Sequence, residues 1–196
     1  MRILSCLLIT TLLIGGCGSV DKEEPKIAEE KTPIDYKKLT AEELLPLAEK
    51  GETEVQFFLG QMYRRGKGVP QDYQLAAKWY KRSAEQGHAG AQNNLGVMYA
   101  KGNSVPQDYQ EAVKWYKKAA EQGNTKAQFS LGVMYALGQG VPQDYVLAHK
   151  WYNLAAAQGH EDGKHNRDVV AKKMTPSQIS EAQKLAREFK PKKEKP

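Results

Sequence analysis

The stretch Val105-Pro106-Gln107-Asp108-Tyr109-Gln110-Glu111-Ala112-Val113-Lys114-Trp115-Tyr116 decides the fold, because its pattern occurs three times. Val69-Pro70-Gln71-Asp72-Tyr73 and Val141-Pro142-Gln143-Asp144-Tyr145 stand 36 residues to either side, and Trp79-Tyr80 and Trp151-Tyr152 keep the same step. So do Leu59-Gly60, Leu95-Gly96 and Leu131-Gly132, and likewise Gln86-Gly87, Gln122-Gly123 and Gln158-Gly159. A fixed period of about 20–50 residues is the mark of a stacked-repeat protein. Three full units follow: 52–87, 88–123 and 124–159.

The middle unit shows what each repeat builds. Ala91, Leu95, Met98 and Tyr99 fall on one stripe of a first helix. Lys101-Gly102-Asn103-Ser104-Val105-Pro106 carries loop residues and stops it. Asp108 is placed to cap a second helix, whose apolar face is Ala112, Trp115, Tyr116, Ala119 and Ala120. Gly123 supplies the left-handed turn into the next unit. One such pair cannot cover its own apolar faces, so neighbouring pairs must stack. The expected fold is all-α, an α-α superhelical solenoid of antiparallel helix pairs with 36-residue repeats.

The recurring Leu-Gly, Met-Tyr, Gly, Pro, Asp, Ala, Trp-Tyr, Ala-Ala and Gly positions resemble the Sel-one-like repeat family, a relative of tetratricopeptide repeats. The resemblance covers 52–159 and extends by partial units at both ends. Thr40-Ala41-Glu42-Glu43 is a capping-box start to a half-repeat over 40–51, in which Pro46 implies a kink or a late start. Thr175-Pro176-Ser177-Gln178 opens a final helix, and 160–190 reads as a C-terminal cap pair. Residues 191–196 are expected to form a frayed, basic tail.

The chain opens with Met1-Arg2 and then Ile3 to Ile14, a run of 12 residues without a charge. That is shorter than the ~20 apolar residues of a membrane-spanning helix and fits an export signal over 1–16. Leu13-Ile14-Gly15-Gly16-Cys17 resembles a lipobox, in which the cysteine becomes the lipidated N-terminus. Gly18 after the cysteine, rather than Asp, implies the outer membrane facing the periplasm under enterobacterial-type sorting. Residues 17–39 mix both charge signs with proline and few apolar residues, so they read as a flexible tether.

Composition removes several functions. The cysteines are Cys6 and Cys17, so the repeats hold no disulfide and no thiolate metal site. The four histidines are His88, His149, His160 and His165. His88 and His160 occupy a helix-start position, and no pair has the spacing of a metal site. No catalytic triad, phosphate loop or isolated carboxylate pair stands out from the repeat. No catalytic residue, cofactor or metal is therefore expected. The net charge of +6 is spread out, with +2, +1 and +1 on the three units. A nucleic-acid reader would concentrate it, so nucleic acid is not an expected partner.

What remains is a protein partner. The resemblance places the first helix of each pair on the concave face and implies an adaptor that binds protein segments there. The residues expected to line it are Phe57, Gln61, Arg64 and Arg65, then Asn93, Val97 and Lys101, then Phe129, Val133 and Leu137. That surface is mixed apolar and basic and suits a peptide with apolar anchors and some acidity. The alternative is binding or hydrolysis of cell-wall or β-lactam ligands, as among cysteine-rich relatives. Their paired cysteines are missing here, which favours a non-enzymatic adaptor anchored through Cys17.

Overall fold

A computed structural model of the chain describes residues 35–192. The export signal, Cys17 and the tether as far as Ile34 lie outside the described residues, as do residues 193–196. A short 3-10 turn, Tyr36–Lys38, precedes nine α-helices among the described residues. These are α1 (Ala41–Glu49), α2 (Thr53–Arg65), α3 (Tyr73–Glu85), α4 (Ala89–Lys101) and α5 (Tyr109–Glu121), then α6 (Thr125–Leu137), α7 (Tyr145–Ala157), α8 (Glu161–Ala171) and α9 (Pro176–Arg187). Helices α2 with α3, α4 with α5 and α6 with α7 form the repeat pairs, and α3 on α4, α5 on α6 and α7 on α8 stack one pair on the next.

Local chemistry sets these boundaries. Asp72, Asp108 and Asp144 each cap a second helix, with Asp108 Oδ1 accepting from the N–H groups of Gln110 and Glu111 at 2.9 Å. Gly66, Gly102 and Gly138 end the first helices in the left-handed region. The glutamine of each Val-Pro-Gln-Asp-Tyr run folds back on that end. Gln71, Gln107 and Gln143 donate to the carbonyls of Arg64, Ala100 and Ala136 at 2.8–2.9 Å. The motif therefore closes one helix and opens the next.

The Trp-Tyr pair joins consecutive cores. Trp79 packs with Leu44, Val55 and Leu59, whereas Tyr80 packs with Ala91, Leu95 and Met98 of the following unit. Trp115 then joins the Tyr80 cluster and Trp151 the Tyr116 cluster. Adjacent side chains point into successive interfaces, so removing one unit would expose an indole on one side and a phenol ring on the other. Loss of so large a buried ring costs about 3–5 kcal/mol.

A glutamine ladder crosses the same interfaces. Gln86, Gln122 and Gln158 donate to Oε1 of Gln56, Gln92 and Gln128 at 2.7–2.8 Å. Those buried amides donate onward to the carbonyls of Ala48, Ala84 and Ala120, at the C-terminal end of each preceding helix. Each of these carbonyls also accepts the backbone N–H of the following Gly51, Gly87 or Gly123, so the glutamine is its second donor. The Gln-Gly recurrence carries this ladder, although the sequence reading assigned it only to a turn.

The ends depart from expectation in four ways. Tyr36 and Leu39, expected in the tether, pack against the first core cluster. Helix α1 starts at Ala41 and runs through Pro46, its sixth residue, so there is no late start. Helix α9 packs on α7 rather than pairing with α8, and its buried residues are Ala182 and Ala186. The tail is docked as far as Lys192, whose backbone N–H donates to the Glu121 carbonyl at 2.8 Å.

Candidate functional site

Helices α2 and α4 and the start of α6 share a cleft of about 380 Å³. Helix α2 contributes Phe57, Gln61, Arg64 and Arg65, and α4 contributes Gly90, Asn93 and Asn94. Asn124, Thr125 and Lys126 close it from α6. Five expected groove residues, Phe57, Gln61, Arg64, Arg65 and Asn93, thus come together. Val97, Lys101, Phe129, Val133 and Leu137 are not part of this cleft. Val97 packs against one core cluster, and Phe129 and Val133 against another. Lys101 and Leu137 sit exposed in the last turns of their helices, with Leu137 at 60% exposure.

The cleft exists because the middle unit breaks a pattern. Phe57 stacks on His88 with ring centroids 4.2 Å apart, and Phe129 stacks on His160 at 4.4 Å. Each histidine also caps the helix that follows, His88 Nδ1 accepting the Ala91 N–H and His160 Nδ1 that of Gly163. Between these stacks, Asn93 stands at the phenylalanine position and Asn124 at the histidine position. Asn124 still caps its helix through Oδ1 to Ala127 N–H, but no aromatic pair fills the space. Gly90 stands where the next unit has Lys126, and a Cβ there would meet the His88 and Phe57 rings at 2.9 and 3.0 Å.

The result is an amide-rich, cationic surface whose lining includes no carboxylate. Asn93 is 6% exposed, and its Oδ1 has no hydrogen-bond partner. An unpartnered buried acceptor costs about 1–3 kcal/mol, and this one lies beneath the surface of the cleft. Arg64 is partly engaged, donating from Nε to the Tyr80 hydroxyl at 3.2 Å. Burial raises the Tyr80 pKa despite that guanidinium, so the phenol stays neutral and holds Arg64 in place. Arg65 and Lys126 are exposed at the two sides of the cleft. The geometry suits an extended chain that offers negative charge to the rim.

The sequence missed His149. Its side chain is 3% exposed and its Nδ1 has no partner, in a position held by Ala77 and Val113 in the other units. Among the described residues no group of three or more His, Cys, Asp or Glu side chains is arranged to hold a metal ion.

The model of the Sel1 repeat matches residues 53–88, 89–124 and 125–160. The chain belongs to the Sel1 repeat family. Its boundaries sit one residue later than the units read from the sequence. Sel1 repeat proteins are generally protein–protein interaction scaffolds, and the family is typically non-catalytic. The chain is 40% identical to a Sel1 repeat protein from Oxalobacter formigenes, over 65% of this chain and 96% of that one, with a TM-score of 0.60. It is 31% identical to a protective antigen present in uropathogenic Escherichia coli strains displaying an SLR fold. There it covers 76% of this chain but only 40% of the antigen, with a TM-score of 0.52. Helicobacter pylori cysteine rich protein B shares the fold at a TM-score of 0.54 and 20% identity, over 64% of this chain and 92% of that one. No curated protein matches significantly.

Proposed function

We propose that this Sel1 repeat protein is a non-catalytic adaptor of the bacterial cell envelope. In this reading acyl chains on Cys17 hold it to the outer membrane, with its repeats facing the periplasm. It binds an extended protein segment in the cleft over Asn93, on the face formed by the first helices.

The anchoring part rests on the short apolar leader ending at Ile14-Gly15-Gly16-Cys17. Several acyl chains together give firm attachment, whereas a single chain binds only marginally. The binding part is carried by one observation, a cleft that joins Arg64, Arg65 and Lys126 with no carboxylate in its lining. An acidic group on the segment meets Arg65 and Lys126. An extended peptide is favoured over a compact solute because the lining spans the first helices of three successive units.

The test is a photo-crosslinking amino acid at Gln61 in the full chain in cells, compared with one at Lys81. A discrete adduct at Gln61 that disappears with Arg65→Glu and Lys126→Glu supports the reading. An adduct indifferent to those reversals, or formed equally from Lys81, rejects the cleft. Intact mass of the membrane-extracted protein tests the anchor, since an unmodified Cys17 would remove it.

A further inference from the structure

A second surface shares no residue with the Asn93 cleft. It is a groove of about 460 Å³ bounded by α5, α6 and α7 together with Glu188, Phe189, Lys190 and Lys192 of the chain's own end, which line it. Phe189 meets the Trp151 ring edge-on, with centroids 5.6 Å apart and planes at 72°. Lys150 Nζ lies 4.5 Å from the Trp151 ring centre and 5.8 Å from that of Phe189. Pro191 rests beside Gly123, the glycine that ends the α5 turn. Lys192 then pairs twice with one residue, its backbone N–H donating to the Glu121 carbonyl at 2.8 Å and its ammonium meeting the Glu121 carboxylate at 2.6 Å.

We propose that this groove is a peptide-docking surface, and that residues 188–192 are a resident copy of its ligand. The ligand class is an extended protein segment with an aromatic side chain followed three residues later by lysine. A partner's segment of this kind displaces the tail.

Three features carry the assignment. The recognition is that of a bound peptide: an aromatic anchor, a main-chain hydrogen bond and an ion pair, at a helix C-terminus whose free carbonyls and dipole favour a cation. The segment is lightly held, because Glu188, Lys190, Pro191 and Lys192 are exposed and only Phe189 is half-buried. Elements with so few buried contacts open at low free-energy cost. The groove also differs from its counterpart in the preceding unit. In the preceding unit Glu111 stands in place of Leu147 and ties Lys114 into an ion pair at 2.9 Å, so that wall is charged.

Tethering raises the local concentration of residues 188–192 and lowers the apparent affinity for any competing segment. Removing the resident anchor should therefore reveal the site. The probe is a fluorescein-labelled peptide of sequence Glu-Phe-Lys-Pro-Lys, titrated by anisotropy into the full chain and into its Phe189→Ala variant. The variant is expected to bind at least about tenfold more tightly than the parent chain. Adding Glu121→Gln should reverse that gain, and circular dichroism melts confirm that each variant is folded. Equal binding to parent and variant, no binding to a folded Phe189→Ala chain, or a gain that survives Glu121→Gln would each overturn the proposal. In those cases residues 188–192 would be a structural end-piece only.

Discussion

The ring of Tyr116 lies against Gly96 so closely that a Cβ there would sit 2.7 Å from its Cδ1 and Cε1 atoms. Gly60 with Tyr80 and Gly132 with Tyr152 repeat the relationship. The helical glycine of each Leu-Gly pair is thus the seat for the tyrosine of its own repeat, and the ring has backbone on one side and the next unit on the other. Gly96→Ala should destabilise the chain by about 1–3 kcal/mol through overpacking, despite the better helix propensity of alanine. Denaturant melts give the value. Combined with Tyr116→Leu, the glycine change should cost less than it does alone, and additive costs would mean that the contact does not set the fit.

Ala89 marks a gap in the glutamine ladder. Gln86 Oε1 accepts from the Thr53 hydroxyl at 2.9 Å, and Gln158 Oε1 from that of Thr125 at 2.8 Å. The equivalent residue beside Gln122 is Ala89, and Gln122 Oε1 is left buried without a partner. Ala89→Thr should supply the missing donor and raise stability by about 0.5–1.5 kcal/mol, while Thr125→Ala should lose a similar amount. Melting temperatures moving in opposite directions are the expected result. Destabilisation by Ala89→Thr would show that the middle interface has no room for the hydroxyl.

His149 makes stability depend on pH. Burial lowers its pKa below the ordinary 6.5, the Arg167 guanidinium lowers it further, and the nearby Asp168 carboxylate opposes both. The unfolded chain therefore takes up this proton first. Stability is unaffected by the group above pH about 6.5 and falls as the pH drops from there toward the folded-state value. His149→Val, the residue type found at Val113 in the preceding unit, should flatten that part of the profile relative to the parent. Parallel profiles for parent and variant between pH 7 and 5 would refute the assignment.

The fold was legible because its determinants are local and repeated. Asp108 caps where its position before an apolar run requires, and Trp115 and Tyr116 fall on the buried stripe that their spacing sets. The sequence does not separate their targets, since two adjacent residues serving different interfaces look like one aromatic patch. The site was half legible. Helical spacing placed Phe57, Gln61, Arg64 and Arg65 on one face, but the cleft depends on contacts between units, which a single-helix projection omits. The signal was present as a departure from the repeat: Asn93 and Asn124 replace the pair that is Phe57 with His88 and Phe129 with His160. Reading down equivalent positions, rather than along one helix, finds it. The polar helices α8 and α9 offer no such register, so the packing of α9 on α7 is not legible in the sequence.

That departure gives the most discriminating variant. Asn93→Phe with Asn124→His should rebuild in the middle unit the stack seen at Phe57–His88 and Phe129–His160. The histidine would keep the cap that Asn124 now provides to Ala127, as His88 and His160 do for Ala91 and Gly163. The double change removes the unpartnered Asn93 oxygen and adds an aromatic pair. It should stabilise the chain by at least about 0.5–1.5 kcal/mol from stacking alone. It should also fill the cleft and end the crosslink from Gln61, while leaving Arg64, Arg65 and Lys126 in place. A more stable protein that no longer captures its partner is the behaviour of a site maintained at the expense of packing. A stabilised variant that still forms the Gln61 adduct would show that the rim cations suffice and that the amide floor contributes nothing to recognition. A destabilised variant would show that the middle unit cannot accept the stack at all, and that Asn93 is there to relieve crowding.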